Sequence, residues 1–296
     1  TLDRSSAASD VYKRQGPRQA GQHRQLVAPD QEAQGLSGMA VQGMGDSAQR
    51  VAELEAELAQ LRRETQAFTS ALSHDLRAPL RHIVSFARLL EEEAGPRLDA
   101  EQQGFLGTIT DSAQHMGAML DALRELARLG TVPVVRAPVA LDVLVHEVAE
   151  ELAQRHAPQA LACVVDVAPR TLHTDAALLR TVLHAVLDNA WKFTAQLPDG
   201  AAQVCVALAE AGDGLHLTVQ DNGAGFRATQ PEVALRMFGR LHGAKPFAGL
   251  GAGLAWATQA LQRLGGGIRL ESPASGGCLV TVWIPHEKSP DRPGFA

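Results

Sequence analysis

From Val51 to Leu72 the stripe positions fall at Val51, Leu54, Leu58, Leu61, Thr65, Phe68 and Leu72, spaced 3 and 4 in strict alternation with Glu, Arg and Gln between them. A heptad kept up for three repeats predicts one helix of a coiled coil. The stripe then widens through Leu76, Pro79, Ile83, Phe86 and Leu90, as it must where a coil opens into a bundle with a broader buried face. Gly95 and Pro96 predict a stop near Ala94. Phe105, Ile109, Ser112, Met116, Met119, Leu123 and Leu126 resume the alternation, so residues 101–129 are expected to return antiparallel as the second arm of a helical hairpin. One hairpin cannot bury two such stripes. Pairing with a second copy into a dimeric four-helix bundle is the economical solution, so a homodimer is expected.

After the connecting stretch GTVPVVRAP the pattern changes to alternating helices and strands, the mark of a second domain of α+β type. Residues 141–156 (LDVLVHEVAEELAQRH) predict a helix, ACVVDVA a strand and DAALLRTVLHAVLDNAWKFTA a helix. AAQVCVALAE and GLHLTVQ predict two strands joined by a Gly-Asp-Gly turn at 212–214. GLGAGLAWATQALQRLG predicts a helix, and GGIRLES with GCLVTVWIP a closing pair of strands. The expected organisation is a disordered or non-native segment at 1–45 and a coiled-coil linker at 46–72. A helical hairpin domain then covers 65–130, an α+β domain 138–286 and a disordered tail 287–296.

The first 45 residues are rich in Gln, Gly, Ser and Ala and carry no apolar period; the opening SSAASDVYKRQ looks like translated adapter sequence. At 296 residues and 45% hydrophobic content the chain can supply a core for each of two domains, and a net charge of −6 gives no basic field for nucleic acid. Cys163, Cys205 and Cys278 are far apart and not in metal-ligand spacing, which points to a reducing, cytoplasmic compartment. No stretch approaches the roughly 18 uninterrupted apolar residues of a membrane span.

Within the first helix lies SHDLRAPL. At about 100° per residue, His74 sits roughly 200° from Leu72 and Leu76, so it faces water. Pro79 crowds the carbonyl of Asp75 and is expected to bend the helix beside His74. Asp75 can hold one ring nitrogen and leave the other as a nucleophile. A lone helical histidine is most often merely solvated, so the rest of the chain has to decide. In DNGAGF, Asp221 ends a strand while Gly223 and Gly225 let backbone and carboxylate approach a flat ligand. In GLGAGL, Gly249, Gly251 and Gly253 open a helix whose free N–H groups suit a phosphate. In LDNAWKFT, Asn189 and Lys192 lie about one turn apart, an amide for Mg2+ and an ammonium for phosphate. Each alone is weak, and neither the dinucleotide fingerprint nor a P-loop is present.

Together and in this order the stretches resemble the sensor histidine kinases of two-component signalling, in wording nearest to the phytochrome-type and PAS-linked members. SHDLRAPL is similar to the phosphoacceptor box and LDNAWKFT to the Asn box. DNGAGF and GLGAGL resemble the two Gly boxes, with MFGRLH the Phe-containing box between them. The resemblance implies a dimeric hairpin followed by a two-layer α/β ATPase sandwich of the GHKL (Bergerat) type. It implies that His74 is phosphorylated from ATP, with Asp75 as its orienting partner and proton acceptor, and that the phosphoryl group passes to a receiver-domain aspartate of a response regulator. Asp221 would bind the adenine amine, Asn189 would ligate Mg2+ and Lys192 would contact phosphate. Gly223, Gly225, Gly249, Gly251 and Gly253 would shape the pocket and its lid.

Two departures modify the expectation. Ala185 stands four residues before Asn189, where the family often has a second Asn or an acid, so fewer protein ligands to Mg2+ are expected. Ala78 stands four residues after His74, where members that dephosphorylate their partner often carry Thr or Asn, which puts a strong phosphatase activity in doubt. A catalytically silent dimeric scaffold is the second reading. A gyrase- or MutL-type ATPase is the third, disfavoured because such enzymes lack the heptad-borne SHDLRAPL.

Overall fold

A computed structural model describes residues 29–157, 161–198, 200–212, 214–226, 231–240 and 249–285. The expected tail at 287–296, Asp213 of the hairpin turn, and Leu241 and His242 of MFGRLH lie outside the described residues. The chain divides into two units, 1–56 and 57–296; the described part of the first is helix alone.

Helix α1 runs Pro29–Ala94, a 3-10 turn follows at Gly95–Arg97, and α2 runs Ala100–Thr131. The turn falls where Gly95 and Pro96 predict it. Asp99 starts α2 with a reciprocal cap: its side chain accepts the Gln102 N–H at 2.8 Å, and the Gln102 side chain accepts the Asp99 N–H at 3.1 Å. α1 begins at Pro29, ahead of the expected boundary near residue 46. The stretch holds Gly35, Gly38, Gly43 and Gly45 among its Gln, Ala and Met, and extending an existing helix is far easier than nucleating one. α1 also continues through Pro79.

On the hairpin the buried side chains are mostly small: Ser73 and Ala87 on α1, and Ala113 and Ala122 beside Leu106 and Leu129 on α2. The Ser73 hydroxyl donates to the Leu120 carbonyl, and Arg77 pairs with Asp121, which fixes the register of α1 on α2 at the level of His74. The predicted stripes point elsewhere: Leu58, Leu61, Phe68, Leu76, Ile83 and Phe86 on α1, and Phe105, Ile109 and Met116 on α2, are exposed in the single chain.

Strand β1 (Ala137–Ala140) pairs antiparallel with β3 (Thr171–Thr174). Each has only four residues and β1 buries a single side chain, Val139, so neither has the alternation that would reveal it in sequence. The main sheet has the order β2-β4-β5-β7-β6, from β2 (Leu161–Asp166), β4 (Ala202–Ala211), β5 (Gly214–Asp221), β6 (Gly267–Glu271) and β7 (Leu279–Pro285). The β2–β4 pair is parallel and the rest antiparallel. Helices α3 (Leu141–Arg155), α4 (Ala176–Thr194) and α5 (Gly253–Leu264) form the second layer.

Between the layers lie Leu144, Val145 and Val148 of α3, Leu179, Leu183, Leu187 and Trp191 of α4, and Leu261 of α5, against Val204, Val206, Leu217 and Val219 of the sheet. Leu129, near the end of α2, joins this core. The hairpin is therefore tied to the sandwich. The Trp256 indole N–H donates to the Ala122 carbonyl at 3.1 Å, and the Arg263 guanidinium reaches the carbonyls of Leu129, Gly130 and Val132 where α2 ends. No helix among the described residues is long and apolar enough to cross a membrane.

Candidate functional site

A cavity of about 770 Å³ opens between α4, the end of β5 and the start of α5. Its wall includes Asn189, Lys192, Asp221, Gly225, Gly249, Gly251 and Gly253. Seven of the residues singled out in sequence thus meet in one place although they are spread from position 189 to position 253. Gly223 is not on the wall and serves it from behind, while His74 and Asp75 are on the hairpin. Glu125 of α2 also lines the cavity, one turn beyond Asp121, the partner of Arg77. The cavity thus abuts the arm that packs beside His74.

Asp221 is the anchor. It ends β5 almost fully buried, where its Oδ1 accepts the Gly223 N–H at 2.9 Å and the Cys278 N–H at 3.2 Å. Burial pushes its carboxyl above the ordinary range, and these two backbone hydrogen bonds pull in the opposite direction. Both bonds use Oδ1, which leaves Oδ2 uncommitted among the described residues. Gly223 is required here because a Cβ would sit 2.4 Å from the Phe193 carbonyl oxygen.

α4 owes its start to Asp175, whose Oδ1 caps the Ala177 and Leu178 N–H groups at 3.0 Å, while Oδ2 accepts the Val135 N–H at 2.8 Å. The cap fixes the helix that carries Asn189 and Lys192. Lys192 pairs with Asp188, and Asp188 also takes the His156 Nε2 at 2.8 Å. Burial pushes the Asp188 carboxyl up, but the hydrogen bonds and charges of Lys192 and His156 outweigh it and hold it below the usual range. Sequence reading passed over Asp188 because it sits beside Asn189 and its second partner, His156, is 32 residues away.

The expectation that Gly249, Gly251 and Gly253 all lie in a helix needs correction. α5 begins at Gly253, and Gly249 and Gly251 precede it with φ of +125° and +73°, a region no helix allows. At Gly251 a Cβ would also approach the Gly239 carbonyl oxygen to 2.7 Å, so the turn locks against the Phe238–Gly239 segment. The first turn of α5 still directs its N-terminal end into the cavity. Ala185 packs with its Cβ 3.7 Å from where a Gly253 Cβ would be, so this turn of α4 offers the cavity a methyl group and no ligand. Asn189 and Lys192, one turn apart on α4, bring an amide and an ammonium to the same wall of the cavity.

On the hairpin, His74 and Asp75 are 86% and 79% exposed, and the His74 Nδ1 lies 3.2 Å from the Asp75 Oδ1. Nδ1 is the nitrogen the carboxylate engages.

Comparison with known proteins agrees with this layout. Residues 64–131 match the His Kinase A (phospho-acceptor) domain, and residues 174–288 match the histidine kinase-, DNA gyrase B- and HSP90-like ATPase family. The aerobic respiration control sensor protein ArcB of Escherichia coli (strain K12) is 30% identical over 75% of this chain and 29% of the relative. Cyanobacterial phytochrome B of Nostoc sp. is 30% identical over 76% of this chain and 30% of the relative. The chain thus spans about 30% of the length of these curated relatives. The crystal structure of full-length ShkA in complex with AMPPNP superimposes with a TM-score of 0.54 at 26% identity, covering 75% of this chain and 46% of that one. Acinetobacter baumannii histidine kinase AdeS shares the fold, with a TM-score of 0.51 over 73% of this chain and 98% of that one. With a phospho-acceptor hairpin followed by an ATPase-type sandwich, the chain belongs to the sensor histidine kinases.

Proposed function

We propose that this chain is the ATP-dependent kinase part of a two-component sensor: it phosphorylates His74 and passes the phosphoryl group to an aspartate of a response-regulator receiver domain. The observation that carries the reading is an exposed His74, oriented by Asp75, on the hairpin whose second arm walls a cavity floored by a buried aspartate. Asp221 accepts from the adenine amine through Oδ2, which discriminates against a guanine carbonyl at the same place. Lys192 and the N-terminal turn of α5 meet the phosphates. Asn189 holds Mg2+, which supplies charge neutralisation of the triphosphate when bound.

In the transfer, the His74 Nε2 lone pair forms a bond to the γ-phosphorus as the bond from that phosphorus to the β,γ-bridging oxygen breaks, and ADP leaves with that electron pair. The ring becomes cationic, and Asp75 stabilises it and accepts the Nδ1 proton. In the relay, a receiver carboxylate oxygen attacks the phosphorus, the Nε2–P bond breaks with its electron pair staying on Nε2, and Asp75 returns the proton to Nδ1, which restores neutral His74. Positioning and charge neutralisation account for most of such catalysis, so a docked ATP domain beside an exposed helical histidine suffices. The exposed stripes of α1 and α2 support a homodimeric four-helix bundle, and the three free cysteines fit a cytoplasmic setting.

The test is incubation of the chain with radiolabelled ATP and Mg2+ beside His74→Gln. Label that survives alkali, is lost in acid and is absent from the variant is the expected result. Nucleotide binding without label would instead favour the scaffold reading, for which the methyl group of Ala185 is the one supporting observation.

A further inference from the structure

α4 carries a charged arrangement that the reaction above leaves without a role. The Oδ2 of Asp188 pairs with Lys192 one turn along the helix, while Oδ1 takes the His156 Nε2 at 2.8 Å from the residue where α3 ends. Two donors on two different oxygens fix both the position and the plane of the carboxylate, whose side chain is only 17% exposed. Lys192 in turn lies with its Nζ 3.8 Å from where a Gly249 Cβ would be, under the first glycine of the turn that opens α5. A lysine ammonium on a four-carbon stem otherwise samples many rotamers and gives up that freedom on binding. It has three donors. One engages Asp188 and two remain for phosphate oxygens.

We propose that Asp188, braced by His156, is a positioning residue that presents the Lys192 ammonium to the nucleotide phosphates at the Gly249 turn. This rests on the nucleotide-binding reading of the cavity. Asp188 is itself an anion and would repel a triphosphate, so its benefit acts through Lys192 and disappears without it. That dependence separates positioning from a plain contribution to folding.

The experiment uses the full chain and measures the Kd of a fluorescent ATP analogue together with KM and kcat for His74 phosphorylation. The variants are Asp188→Asn, His156→Gln, His156→Ala, Lys192→Met and the double variant Asp188→Asn/Lys192→Met. Asp188→Asn is expected to weaken ATP about fivefold, the scale of one partly exposed ion pair, with kcat little changed. His156→Gln keeps an N–H donor and is expected to stay near wild type, whereas His156→Ala moves toward Asp188→Asn. In the Lys192→Met background, Asp188→Asn is expected to cost nothing further, or to tighten binding slightly as the repulsion is removed. Additive effects of the two substitutions, or tighter ATP binding by Asp188→Asn alone, would overturn the proposal while leaving the nucleotide site intact. A wild-type chain that binds no ATP analogue would overturn both.

Discussion

Gly276 and Gly277 sit side by side in the turn between β6 and β7, both with positive φ, +91° and +76°, yet their surroundings are opposite. A Cβ at Gly276 would meet nothing within 4 Å. At Gly277 it would lie 1.8 Å from the carbonyl oxygen of Asp221, 2.7 Å from its carbon and 3.0 Å from the Cα of Asn222. All three are backbone atoms, so the end of β5 has to move by more than 1 Å to admit a methyl group. That motion would pull on the bond from the Asp221 N–H to the Cys278 carbonyl, 2.9 Å, and on the bond from the Cys278 N–H to the Asp221 carboxylate, 3.2 Å. With about 1 kcal/mol for alanine in the left-handed region and about 1 kcal/mol net for each disturbed hydrogen bond, Gly277→Ala should cost about 3 kcal/mol. Gly276→Ala should cost only the first of these, about 1 kcal/mol. In thermal unfolding the two should fall by about 6–12 °C and about 2–4 °C. Only Gly277→Ala displaces Asp221, so binding of a fluorescent ATP analogue should weaken about tenfold for it, the equivalent of about 1.4 kcal/mol, and hardly at all for Gly276→Ala. Equal melting temperatures and equal affinities in the two variants would refute the claim that the 276–277 turn is what seats Asp221.

Three further outcomes are expected. The folded-state pKa of Asp188 lies below its unfolded value, so the stability it contributes is present above about pH 4 and is lost as pH falls through the folded value; Asp188→Asn should flatten the acid side of a melting-temperature profile. Leu58 and Phe68 are exposed in the single chain, and the double substitution Leu58→Asp/Phe68→Asp should convert a dimer to monomer in light scattering, because each apolar side chain contributes about 2 kcal/mol when covered by a partner. Arg263→Ala removes the donor from three carbonyls at the end of α2, and tryptic cleavage after the exposed Arg136 should accelerate about fivefold; an unchanged rate would mean that the guanidinium does not hold the joint.

What could be read in the sequence was whatever repeats or punctuates. The 3-4 spacing marked both hairpin arms, and Gly95-Pro96 marked the turn between them, because long amphipathic helices leave many correlated positions. The cavity was legible for a different reason: Asp221, Asn189, Lys192 and the glycines occur in ordered short boxes. What escaped was short or non-local. β1 and β3 have four residues each and lean on one another across 31 to 37 residues, Ala140 opposite Thr171 and Ala137 opposite Thr174, so neither has a period of its own. The start of α5 was misplaced because a run of glycines looks the same in sequence whether it opens a helix or precedes one in positive-φ turns. Asp188 went unnoticed because its role lies in a contact with His156 across two helices, and Gly277 because its constraint comes from a carbonyl 56 residues earlier. On α2 the buried residues are Leu106, Ala113, Ala122, Leu129 and Gly130, none of them in the 3-4 stripe, whose Phe105, Ile109 and Met116 are exposed in the single chain: a helix carries more than one face, and spacing alone does not say which neighbour covers which.

Every hydrogen bond by which Trp256 and Arg263 hold the hairpin ends on a main-chain carbonyl: Ala122, Leu129, Gly130 and Val132. A carbonyl is the same whatever residue bears it. These bonds therefore place no demand on the side chains at those four positions; packing does, since Ala122 and Leu129 are buried. The exposed side chains of the hairpin, which make none of these bonds, can then change their vocabulary without renegotiating its attachment to the sandwich.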